Sequence, residues 1–166
     1  MNKLLVPGLC LVVAYAIFFG YLAETYRSLP AKVACHFDAH GQPNGWMSRR
    51  ADAEILSVVA LLVPGLVIGM MGAADRIPVS FINLPHRDYW LSPERRRDVL
   101  TVLRRYALWF ATANVLFLTN VLVLMVQANL NTPHNLDMTR FTNSVILYLV
   151  LTAIWTFLLL RRFSRL

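Results

Sequence analysis

Four long stretches of this sequence contain no charged side chain, and the chain as a whole has few of them. Only 15% of its 166 residues are Asp, Glu, Lys or Arg, whereas 57% are hydrophobic, and the mean hydropathy is +0.53. A typical soluble domain is about a quarter charged. This composition excludes an ordinary soluble domain and predicts a membrane protein.

The four uncharged stretches are each close to the length that crosses a bilayer. A hydrocarbon core of about 30 Å requires about 20 apolar residues in a helix that rises about 1.5 Å per residue. The predicted spans are residues 4–23, 55–72, 106–127 and 144–160. No internal repeat or long linker divides the chain. We therefore predict one all-α domain over residues 1–166, an integral membrane protein with four transmembrane helices.

The predicted spans lack Asp, Glu, Lys, Arg and His altogether. Pumps and proton-coupled transporters carry ionisable residues at membrane depth, so this absence argues against them and leaves a small-substrate transporter as a weaker alternative. Asn114, Asn120 and Gln127 are the nearest polar substitutes, and we predict that their amides form hydrogen bonds between helices. The only thiols are Cys10 and Cys35, which indicates no disulfide framework. No cofactor is expected.

Basic residues outnumber acidic ones, 16 to 9, and the two sides of the predicted bundle share them unequally. One side carries 11: Lys3, the seven arginines of the second loop, and Arg161, Arg162 and Arg165. The other side carries 5. By the positive-inside rule, both termini lie in the cytoplasm and the loop at 24–54 faces outward. Positive charges beside membrane spans indicate an anionic inner leaflet as partner rather than nucleic acid.

A cytoplasmic amphipathic helix is predicted at about residues 93–105. Ser92 and Pro93 form a helix-start signal, and an apolar stripe through Val99, Leu103 and Tyr106 follows. The helix is predicted to lie on the inner leaflet before it turns into the third span. Its basic face is predicted to bind anionic lipid, and the loop is a candidate contact for a protein partner. The arginines of this face are Arg95, Arg96, Arg97, Arg104 and Arg105.

Small residues at helical spacing occur in the second predicted span, where Gly65 and Gly69 are four residues apart. Membrane helices associate without a hydrophobic drive from water, so small residues that let two backbones approach mark contact faces. We predict that Gly65 and Gly69 pack against a neighbouring helix.

The loop after the first span is the part of the chain richest in polar chemistry. Residues 29–49 read LPAKVACHFDAHGQPNGWMSR. Val33, Cys35 and Phe37 occupy alternate positions, which predicts a short strand, and the following HGQPNG carries turn signals, including Asn44-Gly45. An outward-facing β-turn or hairpin-like element is therefore predicted.

Two interpretations of this loop stay open. If the extended conformation persists to residue 40, then His36, Asp38 and His40 project from one face, and this trio suits zinc or iron(II). That interpretation gives a metal-dependent membrane enzyme. The favoured interpretation is a structural loop whose His and Asp side chains bond to the backbone. The candidate binding residues of the loop are His36, Phe37, Asp38, Gly41, Asn44 and Trp46.

Several residues of this loop resemble a known family. Leu29-Pro30, His36-Phe37, Gly41 and Asn44-Gly45-Trp46 look like the LP…HF…G…GW loop of the bacterial domain of unknown function 1648. That family includes the front end of the Sdp-type immunity and signalling membrane proteins. The stretch INLPHRDYWLSPERR at residues 82–96 is similar to a segment that follows this loop in many members.

The resemblance implies an integral plasma-membrane protein of bacteria, without established catalytic activity in most members. Some relatives confer immunity to a secreted toxin and recruit a repressor to the membrane. Together with the residues, it predicts a non-catalytic inner-membrane protein that acts in binding, sensing or immunity at its outer face, with the basic cytoplasmic loop as its output surface. The metal-dependent enzyme built on His36, Asp38 and His40 is the alternative.

Overall fold

The computed structural model describes residues 3–164, and the protein is mostly helical, at 72%. The elements in chain order are α1 Leu5–Tyr26, β1 Lys32–Phe37, β2 Pro43–Ser48, α2 Arg49–Gly72, α3 Arg87–Trp90, α4 Arg96–Leu130 and α5 Met138–Phe163, with 3₁₀ turns at Ala73–Asp75 and Val79–Phe81. Arg165, counted above in the C-terminal tail, lies outside the described residues.

Four of these helices, α1, α2, α4 and α5, are long and apolar enough to cross a membrane. The predicted fold class is confirmed at this level, together with a small two-stranded antiparallel sheet. Most of the helices extend past the predicted spans, because capping side chains rather than hydropathy decide where a helix begins. The Ser48 hydroxyl accepts a hydrogen bond from Ala51 N–H at the start of α2, and the Asp137 carboxylate accepts one from Arg140 N–H at the start of α5.

The central helix is α4, which packs against α1, α2 and α5. Phe18 of α1, Ala60 of α2, and Val115 and Leu122 of α4 belong to one buried cluster. The Tyr15 hydroxyl adds a polar link between α1 and α2, donating to the carbonyl of Ala60 at 3.0 Å. The cluster explains why these three helices form the tighter part of the bundle.

Polar side chains join α5 to α4. The Asn114 amide donates to the Tyr148 hydroxyl at 2.9 Å, and the Asn120 amide donates to the Ser144 hydroxyl at 2.8 Å. The rings of Phe117 and Tyr148 stack with their centroids 4.4 Å apart. Interhelical hydrogen bonding is thus confirmed for both asparagines, whereas the Gln127 side chain is exposed.

The structure corrects the prediction of a separate amphipathic helix at 93–105. Residues 92–95 form turns, and α4 begins at Arg96 and continues without interruption for 35 residues, about 52 Å. The apolar stripe is not left for lipid, because Val99 packs with Leu91 and Phe163 in a buried cluster that Leu103 also contacts. A helix whose apolar face meets protein has no reason to lie flat on a membrane.

The prediction that Gly65 and Gly69 contact a neighbouring helix is wrong within this chain. Both glycines are exposed, and a Cβ built on either would meet no atom within 4 Å among the described residues. The face of α2 that packs inward carries Ala60, Pro64 and Ile68 instead. A helix has several faces with small residues, and only the packing selects one of them.

Candidate functional site

The loop richest in polar residues forms a β-hairpin with a tight turn. Strands β1 and β2 pair antiparallel, with Val33 opposite Met47 and an irregularity at His36. The Asp38 carboxylate accepts hydrogen bonds from the backbone N–H groups of His40 and Gln42, at 2.8 and 2.9 Å. These bonds, chiefly the one from Gln42, hold the pKa of the Asp38 carboxyl below its usual range. The carboxylate therefore serves the turn.

The three candidate metal ligands are not gathered by this geometry. Strand β1 ends at Phe37, so the alternation that would align His36, Asp38 and His40 stops before the last two. Within residues 3–164 no group of three His, Cys, Asp or Glu side chains could hold a metal ion. The structural interpretation of the Asp38 side chain agrees with the observed bonds, and the geometric premise of the enzyme alternative is not met.

Two glycines of the loop sit where a side chain does not fit. Gly41 has φ +79°, and a Cβ there would collide with the carbonyl oxygen of Leu136. Gly45 lies opposite His36, and a Cβ on it would be 2.9 Å from the His36 Cβ. The turn is therefore made at Gly41, and the Asn44-Gly45 pair, predicted as a turn signal, lies inside β2.

The hairpin is fastened to the bundle by one amide at the end of α4. Asn129 is only 4% exposed. Its carbonyl oxygen accepts a hydrogen bond from Ala34 N–H at 2.7 Å, and its NH2 donates to the Ala34 carbonyl at 2.9 Å. The side-chain amide thus imitates a residue of a third strand and pairs the outer edge of β1. Asn129 lies just beyond the predicted third span, which ends at residue 127, and the sequence did not reveal this role.

The connection between α4 and α5 packs onto the same hairpin. Leu136 N–H donates to the Gly41 carbonyl at 2.9 Å, and the rings of Trp46 and His134 meet edge to face at 5.7 Å. The Nδ1 of His134 is buried without a hydrogen-bond partner in the described part of the chain. We call the hairpin at 32–48 and the connection at 131–137 the hairpin cap.

Under the hairpin cap lies a pocket of about 220 Å³. Its lining comes from β1, α4, the connection and the start of α5, and consists of Cys35, His36, Phe37, Val121, Met125, Leu136, Met138 and Phe141. Of the predicted binding residues, only His36 and Phe37 take part. Asp38 and Gly41 build the turn, Asn44 is exposed, and Trp46 contacts His134. The lining residues of α4 and α5 lie too far along the chain for a loop motif to reveal them.

The opposite end of the bundle, residues 73–95 with the start of α4 and the end of α5, is here called the basic end. Arg96 donates to the carbonyls of Ala74, Asp75 and Ile77, at 3.0 to 3.2 Å. Arg104 forms an ion pair with Asp75. These guanidinium groups satisfy carbonyls and a carboxylate beside the C-terminal end of α2.

Other contacts of the basic end are aromatic. Arg95 lies over the Tyr89 ring, 4.2 Å from its centroid, and the Trp90 indole donates to the Phe163 carbonyl at 2.8 Å. Three of the five predicted lipid-binding arginines, Arg95, Arg96 and Arg104, therefore have contacts inside the protein. Lipid binding by the five arginines stays a prediction. For Arg97 and Arg105, no side-chain hydrogen bond or ion pair is seen among the described residues.

A family model matches the N-terminal part of the chain. Residues 11–68 match the family model described as domain of unknown function (DUF1648). The matched region runs through α1 and the hairpin into α2, so the resemblance of the loop is confirmed there. Residues 82–96 and the α4 residues that hold the hairpin lie outside the match. Searches of curated proteins and of solved structures gave no match.

Proposed function

We propose that this is a non-catalytic, multi-pass protein of the bacterial inner membrane that binds a ligand at its outer face, in a sensing or immunity-like role. The observation that carries the proposal is the pocket under the hairpin cap. Its lining combines residues of β1 with residues of α4, the connection and α5, which lie far from β1 in the sequence. Asn129 and Gly41 hold the cap in place through backbone groups, so the pocket is preorganised.

The character of the ligand follows from the pocket. Apolar side chains such as Phe37, Val121 and Phe141 dominate the lining. A volume of about 220 Å³ is below the roughly 300–1,000 Å³ of sites for drug-sized molecules. The pocket suits one or two apolar groups of a larger ligand, such as side chains of a hydrophobic peptide.

Helix α4 supports the proposal that ligand binding at the hairpin cap is signalled to the basic end. This single helix begins at the basic end with Arg96, and near its other end Asn129 is bonded to the hairpin. We propose that α4, which is bonded at both ends, carries a displacement of the hairpin to the basic end. Phe81, which is 79% exposed at the basic end, is proposed as the contact for an output protein. A photo-crosslinking residue at position 81 should trap a protein in cells, and one at Met70 should not.

The orientation in this proposal rests on the unequal charge of the two sides, 11 basic residues against 5. Single cysteines in a Cys10→Ser, Cys35→Ser background test it. A cysteine at Gln42, exposed in the hairpin turn, should react with a membrane-impermeant maleimide in intact cells. A cysteine at Glu94, exposed at the basic end, should react only after the cells are opened. The reverse pattern would refute the orientation.

Ligand binding is tested by what co-purifies in mild detergent. Met125→Trp fills the pocket, and Met70→Trp is the matched control because Met70 is 55% exposed on α2. A molecule with apolar groups should accompany the wild-type and Met70→Trp proteins and be lost from Met125→Trp. The same complement in all three proteins, including none at all, would contradict the proposal.

A further inference from the structure

Two further cavities follow the seam between α4 and α5. One, of about 290 Å³, is lined by Arg105, Tyr106, Trp109 and Trp155. The other, of about 370 Å³, is lined by Ala113, Leu116, Phe117, Asn120, Ser144, Leu147, Tyr148 and Leu151. On α4 the lining residues recur every three or four positions, as residues on one helix face do. The two cavities therefore follow one another along the same face of α4, and together we call them the seam groove.

The end of the seam groove near Arg105 has the chemistry of an anion site. Arg105 takes part in no ion pair within residues 3–164. The Nε1–H of Trp155 is buried without an acceptor in that same part of the chain. A buried donor without a partner is costly, and a ligand oxygen would satisfy it. Guanidinium and indole N–H groups are both donors only, so the complementary group is an anion with several oxygens.

The rest of the seam groove is apolar. Its walls between the aromatic end and the middle of the bundle include Ala113, Leu116, Leu147 and Leu151. The polar groups at its far end are bonded to each other, as Asn120 is to Ser144. From Trp109 to Asn120 the groove runs 11 residues of helix, about 17 Å, close to half of a hydrocarbon core of about 30 Å. That is the length of an acyl chain in one leaflet.

We propose that the seam groove binds one anionic phospholipid. Its phosphate accepts hydrogen bonds from the Arg105 guanidinium and from Trp155 Nε1–H, and one acyl chain lies along Ala113, Leu147 and Leu151. A transmembrane helix is about 10 Å across and would cover such a groove without entering it. The site is independent of the ligand at the hairpin cap and of which side Arg105 faces.

The test is native mass spectrometry of the full chain in mild detergent. The protein is titrated with phosphatidylglycerol, with phosphatidylcholine of the same acyl chains, and with inorganic phosphate. One phosphatidylglycerol should bind about tenfold more tightly than phosphatidylcholine, because both lipids carry the phosphate but the quaternary ammonium of phosphatidylcholine is repelled by Arg105. Inorganic phosphate should bind far more weakly than either lipid, because it gains nothing from the apolar groove.

Substitutions assign the two ends of the lipid. Arg105→Gln should remove the preference for phosphatidylglycerol, and Arg76→Gln, which removes the same charge from an exposed position after α2, should keep it. Trp155→Phe keeps the ring but loses the donor and should reduce the preference in part. Ala113→Phe, which fills the groove, should weaken both lipids, and Ala153→Phe, exposed on α5, should weaken neither.

Four outcomes would overturn the proposal. The first is equal binding of the two lipids, and the second is an equal loss of the phosphatidylglycerol preference in Arg76→Gln and Arg105→Gln. The third is unchanged lipid binding in Ala113→Phe. The fourth is phosphate binding as tight as that of phosphatidylglycerol, which would assign the site to a free anion. The comparison of the three ligands uses the unsubstituted protein, so it decides the matter even if a variant does not fold.

Discussion

At both ends of the bundle, beside the hairpin cap and at the basic end, an arginine side chain donates hydrogen bonds to backbone carbonyls near the end of a helix. At each end a helix stops and leaves carbonyls unpaired. Arg49 donates to the carbonyl of Tyr26, the last residue of α1, and to those of Arg27 and Leu29 after it. Arg96 does the same for three carbonyls beyond α2. The arginine is in both cases far from its acceptors in sequence, so each one ties two elements together.

The two ends differ in what surrounds that arginine. The hairpin cap is ordered by backbone pairing, by the Asn129 amide on Ala34 and by the close approach of Gly41 to Leu136. The basic end is ordered by side chains that bond to carbonyls, to a carboxylate and to rings. Backbone contacts at short range tolerate few residue types, whereas half-exposed side-chain contacts are individually weak. We expect substitutions at the cap to cost more.

The largest expected effect is that of Asn129→Leu, which removes both partners of the buried Ala34 peptide groups. An unsatisfied buried group costs about 1–3 kcal/mol, so unfolding of the protein should become easier by about 3 kcal/mol. Thermal unfolding in detergent measures this, with exchange of the Ala34 amide proton as the local readout. Asn131→Leu at an exposed position is the control. Equal unfolding curves for the two variants would show that the amide does not hold the hairpin.

Gly41→Ala comes next. The left-handed backbone and the contact with the Leu136 carbonyl oppose any Cβ, and strain of this kind costs about 1–3 kcal/mol. Gly65→Ala is the matched control, because it meets open space and gains about 1 kcal/mol of helix propensity. We expect the first variant to melt at a lower temperature than the wild type and the second at the same or a higher one. A lower melting temperature for Gly65→Ala than for the wild type would mean that the glycine face of α2 packs against another helix.

A smaller effect is expected at the basic end. Arg96→Met removes three donated hydrogen bonds at a half-exposed site. We expect the free energy of unfolding to fall by about 1 kcal/mol. Arg97→Met, one residue further on and exposed, should change nothing measurable. The comparison of the two melting temperatures is the measurement. Identical values would leave the end of α2 without the stabilisation assigned to Arg96.

The smallest expected effect is a dependence of the stability of the hairpin turn on pH. The pKa of Asp38 is lowered in the folded turn, chiefly by the Gln42 N–H, so the carboxylate stabilises the turn at pH values above the usual Asp range. That stabilisation is lost as pH falls through the lowered pKa. The protection of the Gln42 amide proton from exchange, measured against an unstructured amide at the same pH, should fall there. Asp38→Asn, which keeps an acceptor but cannot titrate, should abolish the dependence; a variant that still responds would place its origin elsewhere.

Much of the fold and part of the site were predictable from the sequence. The four helices and the strand through Val33, Cys35 and Phe37 follow from hydropathy and alternation. The predicted turn segment, residues 40–45, contains Gly41, where the turn is made, but its Asn44-Gly45 pair lies inside β2, because only the pairing of β1 with β2 selects between the two signals. Of the pocket residues, the sequence predicted His36 and Phe37, which lie in the loop. It did not predict Met125 and Phe141, because they lie in helices far along the chain.

By itself, the sequence determined that this chain has four long apolar helices and a polar hairpin between the first two. Each of those features depends on neighbouring residues, because a long apolar run in a bilayer must satisfy its own backbone as a helix. Only the tertiary structure decided that Asn129 completes the edge of β1, that Arg96 bonds the carbonyls of the segment after α2 and that Gly65 and Gly69 face open space. Periodicity tells which side chains share a face, but which faces meet depends on how all four helices and the hairpin fill space together.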